Sequence, residues 1–295
     1  MFSGSIVALI TPMTAEGEVD FSSLRRLVDH HVACGTGAIA AMGTTGESPT
    51  LSTAEHLEVV RAVVEQADGR IPVIGGCGSN NTRQAIRLSR AMEEMGVTAG
   101  LSVTPYYNKP SQAALRAHYT AITEASGLPQ ILYNVPGRTG CDLLPDTVGR
   151  LAELAAVIGI KEASGRLERV SQLKACCGDD FLLFSGDDHL ALDFVRLGGH
   201  GVVSVTANVA PAEMAALFRA ALTGDWPEAE AMQRRLLPLH QALFCDTNPI
   251  PVKWACAELG LIASPMPRLP LIPLEMSGRE QVRAALVKAE LIGRG

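Results

Sequence analysis

Eight short apolar runs, each followed by a longer amphipathic stretch, recur through the first 224 residues, and this alternation restricts the fold more than any other feature of the chain. The runs are Val7–Ile10, Ala38–Met42, Val73–Gly76, Leu101–Thr104, Gln130–Asn134, Val157–Lys161, Phe181–Ser185 and Val202–Val205. Each is short and apolar, as strands covered on both faces should be. Between them, Phe21–Ala33 repeats apolar residues at helical spacing (Phe21, Leu24, Leu27, Val28, Val32), and Thr53–Gln66, Thr82–Met95, Gln112–Ala125 and Asp188–Leu197 follow suit. Thr53 reads as an N-cap, and Pro145 and Pro211 suit first helical turns. Parallel strands joined by helices require right-handed crossovers, and eight such units close into an α/β fold of the (β/α)8 TIM-barrel type. An open doubly wound sheet is the alternative, but Gly76-Cys77-Gly78-Ser79-Asn80-Asn81 lacks the third glycine of a dinucleotide fingerprint and reads as a tight βα turn. Beyond residue 224 the strand pattern stops. Trp226–Phe244, Pro251–Leu259 and Arg279–Leu291 are helical in pattern, which divides the chain into a barrel, 1–224, and a small C-terminal helical appendage, 225–295.

Composition removes several classes of function. With 295 residues and a net charge of −6, the chain has its basic residues scattered, which is no footprint for nucleic acid. Aromatics make up 4% of the chain, too few for a base-stacking platform. No apolar run reaches the ~20 residues of a membrane span, and Met1-Phe2-Ser3-Gly4-Ser5 carries no secretory pattern, so the expected location is cytoplasmic. The seven cysteines have neither disulfide-framework nor zinc spacing and read as free thiols of a reducing compartment.

Barrels of this kind place their chemistry at the carboxyl ends of the strands. The sixth run ends on Lys161, one of five lysines in the chain. Taken alone, such a lysine reads as a strand-end cation reaching for water. An amine held out of water instead has a depressed pKa, and its neutral form attacks carbonyl carbon. Three of the four tyrosines, Tyr106, Tyr107 and Tyr133, also fall at strand ends, as does Arg138, suited to a carboxylate. Gly43-Thr44-Thr45-Gly46-Glu47-Ser48 after the second run reads either as a capped loop or as a cradle whose backbone N–H groups and Thr45 hydroxyl hold a small carboxylate. Gly186-Asp187-Asp188-His189 has no convergent ligand set for a metal, and its carboxylates are expected to cap a helix. His30-His31 reads as structural.

Gly43-Thr44-Thr45-Gly46-Glu47, Tyr133-Asn134-Val135-Pro136-Gly137-Arg138-Thr139 and Gly159-Ile160-Lys161-Glu162, with Asn248-Pro249-Ile250-Pro251-Val252-Lys253 in the tail, resemble the 4-hydroxy-tetrahydrodipicolinate synthase (dihydrodipicolinate synthase) family of pyruvate-dependent lyases. The resemblance runs the length of the chain. It implies a Schiff base between Lys161 and pyruvate, condensation with L-aspartate 4-semialdehyde in the diaminopimelate route to lysine, and neither metal nor organic cofactor. It further implies Tyr133 as proton donor and acceptor, and Thr44 with Tyr107 as its relay, Tyr107 reaching in from a neighbouring subunit. Thr45 and the backbone at Val203 would hold pyruvate, and Arg138 the carboxylate of the semialdehyde. Val203 stands where isoleucine is usual in the family. The implied assembly is a homotetramer, a dimer of dimers. An effector pocket for L-lysine would use His56, Asn80, Gln84 and Tyr106. Gln84 replaces the family's glutamate and Thr53 a common histidine, so weak or absent inhibition is expected. The sister aldolases of sugar acids share the Lys161 and Tyr133 chemistry, but Arg138 argues for a second substrate bearing a carboxylate.

Overall fold

The computed structural model describes residues 3–293. Its strands are β1 (Gly4–Ala8), β2 (Ala38–Ala41), β3 (Val73–Gly76), β4 (Ala99–Val103), β5 (Gln130–Asn134), β6 (Val157–Glu162), β7 (Leu182–Ser185) and β8 (Gly201–Ser204). They follow chain order around a closed barrel. The helices are α1 (Phe21–Ala33), α2 (Thr53–Ala67), α3 (Thr82–Glu94), α4 (Gln112–Ala125), α5 (Pro136–Thr139), α6 (Pro145–Ala152), α7 (Glu168–Cys177), α8 (Ala191–Arg196), α9 (Pro211–Thr223), α10 (Trp226–Ala242), α11 (Ile250–Glu258) and α12 (Met276–Lys288). The fold is the expected (β/α)8 barrel with further helices at its C-terminal end. The expected strand boundaries shift by up to three residues. β1 starts at Gly4, because Gly4 and Ser5 are buried although neither is strongly apolar. Asp188–Leu197 divides into a 3-10 turn, Asp188–Leu190, followed by α8.

Contacts within the chain gather into two compact units: Val73–Val203, and the residues up to Pro72 together with those from Ser204 on. In the first, the outward faces of β5 to β7 pack on the helices that follow them. Tyr119, Leu132, Ile160, Leu151, Val170 and Leu183 are all buried in one apolar cluster there. The Tyr119 hydroxyl, in this dry layer, donates to the Ser102 carbonyl at 3.1 Å, as a buried phenol must.

In the second unit, α9 packs on β1, and α10 on α9 and α12. Asn208 ties this unit together: it accepts from the Ile10 N–H at 3.0 Å and donates to the Ala8 carbonyl at 2.8 Å, which satisfies the backbone at the end of β1. On α1 the buried face is Leu24, Leu27, Val28 and His31 rather than Val32. His31 bonds to the Thr36 hydroxyl at 2.9 Å, and burial, followed by the charge of His30, pushes its pKa down to about 3. It is therefore a neutral packing residue, as expected of a structural histidine.

Two capping expectations change. The N-cap of α2 is Ser52, not Thr53. Ser52 accepts from the Glu55 N–H, and Glu55 reaches back to the Ser52 N–H at 2.8 Å, a complete capping box. Asp187 occupies an N-cap position but makes no side-chain cap bond. Its carboxyl is half-buried near Lys161, and burial raises its pKa against the opposing charges of His189 and Lys161.

Candidate active site

In the unit Val73–Val203, β5 and β6 pair in parallel with Tyr133 opposite Lys161 and Asn134 opposite Glu162. This register places both expected reacting groups on the same side of the sheet, since side chains alternate along a strand. The Lys161 Nζ lies 4.3 Å from the centroid of the Tyr133 ring, and both residues are only 7% exposed. An amine against a phenol face is attracted by the ring quadrupole when it is charged. Among the described residues the Lys161 side chain has no hydrogen bond and no ion pair. The start of the loop after β7 lies against the lysine stem. A Cβ at Gly186 would come within 3.1 Å of Lys161 Cε and 2.5 Å of the Ala163 Cβ, so only glycine fits there. A small water-sized cavity among β6, β7 and the loops that follow them is lined by Glu162, Ser185 and Asp187 among others.

Arg138 stands in α5, the single turn after β5, and is exposed. Tyr107 is 90% exposed, has a left-handed backbone (φ 73°), and donates its N–H to the Thr139 carbonyl at 3.3 Å. Arg138 and Tyr107 are thus carried by two loops tied to each other. Tyr106 is partly exposed, and its carbonyl accepts from Asn80 Nδ2 at 3.2 Å. Gln84, in the first turns of α3, accepts from Arg87 at 2.9 Å. Val203, on β8, is buried.

In the other unit, Thr44 and Thr45 follow β2 in a tight turn: Gly46 N–H donates to the Gly43 carbonyl at 3.1 Å and Glu47 N–H to the Thr44 carbonyl at 3.0 Å. Thr44 is half-buried. Thr45 is buried, and its hydroxyl oxygen accepts from Asn248 Nδ2 at 3.0 Å, which leaves the hydroxyl proton available to a ligand. His56 is buried in the first turn of α2.

Sequence reasoning missed what holds the Thr44–Thr45 turn. Glu47, whose φ is +57°, has a fully buried carboxylate. It accepts from Lys253 Nζ at 2.6 Å and from the Arg268 N–H at 2.9 Å, while Lys253 also donates to the Met266 carbonyl at 2.8 Å. The tail motif ending in Lys253 therefore braces the turn from α11. No group of histidine, cysteine, aspartate and glutamate among the described residues could hold a metal ion, and no helix is long and apolar enough to cross a membrane.

A closed parallel barrel with a buried lysine at the end of its sixth strand, laid on a tyrosine ring, defines the class: a (β/α)8 barrel with an amine at the carboxyl end of its strands. The model of the dihydrodipicolinate synthetase family matches residues 1–289, and the chain belongs to that family. A 4-hydroxy-tetrahydrodipicolinate synthase of Escherichia coli is 58% identical over 292 residues, which span 99% of this chain and 100% of that protein. The crystal structure of the chloride-inhibited dihydrodipicolinate synthase of Acinetobacter baumannii complexed with pyruvate matches with a TM-score of 0.97 at 48% identity, covering 99% of this chain and 100% of that one. The enzyme of Cyanidioschyzon merolae with lysine bound matches with a TM-score of 0.95 at 40% identity, covering 99% of each chain.

Proposed function

We propose that this protein is a 4-hydroxy-tetrahydrodipicolinate synthase that condenses pyruvate with L-aspartate 4-semialdehyde through a Schiff base on Lys161. The observation that carries the reading is the Lys161 amine, buried on the Tyr133 ring with no carboxylate paired to it. Lys161 Nζ attacks the ketone carbon of pyruvate, and loss of water leaves the imine. Removal of a methyl proton gives the enamine, whose carbon attacks the aldehyde. The amino nitrogen of the condensed semialdehyde then attacks the imine carbon, closing the ring and expelling Lys161. In this scheme the electron sink is the protein's own imine.

Tyr133 carries the protons, with Thr44 and Tyr107 as its relay, because a phenol works near neutral pH only when a neighbouring group shares the transfer. Thr45 and the Val203 backbone hold the pyruvate carboxylate, and Arg138 holds the carboxylate of the semialdehyde. The reacting groups all lie in residues 1–224, and the helices of 225–295 act as their support. Tyr107 would serve a second copy, a reading supported by its exposure of 90% in one chain. Activity on this reading depends on a cytoplasmic homotetramer, and a fully active monomer in sedimentation would contradict it.

Borohydride reduction in the presence of pyruvate tests the nucleophile. The expected product is one stable adduct per chain, mapped by peptide mass to Lys161. No adduct, or an adduct on another lysine, overturns the reading.

A further inference from the structure

Successive residues of a strand face opposite ways. Asn134 and Glu162, which follow Tyr133 and Lys161, therefore leave β5 and β6 on the far side of the sheet from the reacting pair. There they build a buried polar cluster. Asn134 Nδ2 donates to Asp142 Oδ1 at 2.8 Å and to Glu162 Oε2 at 3.1 Å. Asn134 Oδ1 accepts from the Leu143 N–H at 2.9 Å. Glu162 Oε1 accepts from the Ser164 N–H at 2.7 Å, and the other oxygen of Asp142 is held by the guanidinium of Arg169. Asn134, Glu162 and Arg169 are each less than 5% exposed.

The cluster has a mechanical consequence. The segment between Asn134 and Leu143 carries Arg138, and the Asn134 side chain closes that segment on itself. Within it, the Thr139 hydroxyl has the Val135 and Cys141 carbonyls within bonding distance, and the Thr139 carbonyl accepts the Tyr107 N–H. The Asp142 carbonyl accepts from Gln112 at 2.7 Å. Lys161, in contrast, is held by the strand ladder, in register with Tyr133 on one side and Phe184 on the other. Loss of the Asn134 side chain leaves that ladder intact, and the Asn134 carbonyl still accepts the Ala163 N–H. Only an amide meets the demand at position 134, which is a donor toward carboxylates and an acceptor for a backbone N–H.

Building on the proposed function, we infer that Asn134, backed by Asp142 and Arg169, is a positioning residue that fixes Arg138 for the second substrate while leaving imine formation at Lys161 untouched. The two halves of the reaction are then set by opposite faces of the same pair of strands.

The test separates the substrates. For Asn134→Ser, KM for L-aspartate 4-semialdehyde is expected to rise about tenfold or more, the scale of a misplaced binding group. KM for pyruvate, and the rate of borohydride trapping with pyruvate alone, are expected to stay within about twofold of the parent, because uniform loss of fold would move all three together. Asp142→Asn, at a less buried position, is the second variant. It keeps the Leu143 bond but weakens the clamp on Arg169, and the expected rise is about threefold, again for the semialdehyde only. If Asn134→Ser does not fold, Asp142→Asn decides alone. An unchanged KM for the semialdehyde, or a trapping rate that falls as far as turnover, overturns the inference. Failure of the parent enzyme to trap pyruvate on Lys161 would instead overturn the function on which it rests.

Discussion

Lys161 and Lys253 are both buried, at 7% and 0% exposure, and they are buried in opposite ways. Lys253 points from α11 into a site that answers two of its three donors: the Glu47 carboxylate at 2.6 Å and the Met266 carbonyl at 2.8 Å. Burial pulls its pKa down, and the charge and hydrogen bond of Glu47 pull back the other way. Lys161 lies on an aromatic face with no paired carboxylate, although Asp187 is near enough to sense its charge. A lysine whose ammonium is locked by a carboxylate has no lone pair to offer, whereas one with no paired carboxylate leaves its nitrogen open to a substrate. Burial alone therefore does not mark a nucleophile; the partner does.

The comparison is broken most directly by exchanging each lysine for methionine, which is close in volume and carries no charge. Lys161→Met is expected to lower turnover by at least ~1000-fold, since no other group supplies the nucleophile. Stability should hold or rise by about 1 kcal/mol, because no buried partner is left unpaired. Assayed turnover and a denaturant melt on the same preparation check both halves. Retained turnover would remove Lys161 from the chemistry.

Lys253→Met is expected to behave in reverse. It strands the Glu47 carboxylate in a fully buried site, and breaking a buried pair from one side typically costs about 3–5 kcal/mol. The Arg268 N–H at 2.9 Å compensates only in part. Adding Glu47→Gln to that variant should recover most of the loss, since neither charge then remains. Urea titration of the single and double variants measures this. If the single variant melts like the parent, the pair is not what braces the Thr44–Thr45 turn, and the contrast between the two lysines fails.

The two lysines also mark how far the sequence could be read. Lys161 ends an apolar strand, so the signal is local: a run of Val, Ile and Gly that stops on an amine. The eight strands are legible for the same reason, as is Tyr133, which sits on β5 opposite Lys161. Lys253 lies 206 residues from Glu47, in a helix where a lysine ordinarily stretches to water, and no periodicity encodes such a pair. Asn134 and Glu162 are hidden in the same way: both lie inside recognisable motifs, yet their bonds to Asp142 and Arg169 exist only once β5, β6 and α7 are assembled. Ser52 is different, because Ser52-Thr53-Ala54-Glu55 contains the hydroxyl-to-glutamate spacing of a capping box, and choosing the adjacent Thr53 overlooked it.

The smallest expected effect puts the same question to an ammonium that is not part of the chain. If L-lysine binds in the pocket expected of His56, Asn80, Gln84 and Tyr106, its amino group would meet a neutral amide at Gln84. The family resemblance implies a glutamate at that position. The Gln84 carbonyl oxygen already accepts from Arg87 Nη2 at 2.9 Å, which brings a positive charge toward the position a ligand cation would need. Lys253 indicates what a buried ammonium requires: a carboxylate and a carbonyl together. Without the charge, binding should weaken by about 1–3 kcal/mol, so inhibition by L-lysine is expected to be weak or absent, and Gln84→Glu is expected to strengthen it. Steady-state inhibition of the parent and of Gln84→Glu checks this. Half-maximal inhibition of the parent at submillimolar L-lysine would show that a neutral amide suffices, and the rule drawn from the two lysines would then apply to the protein interior but not to its ligands.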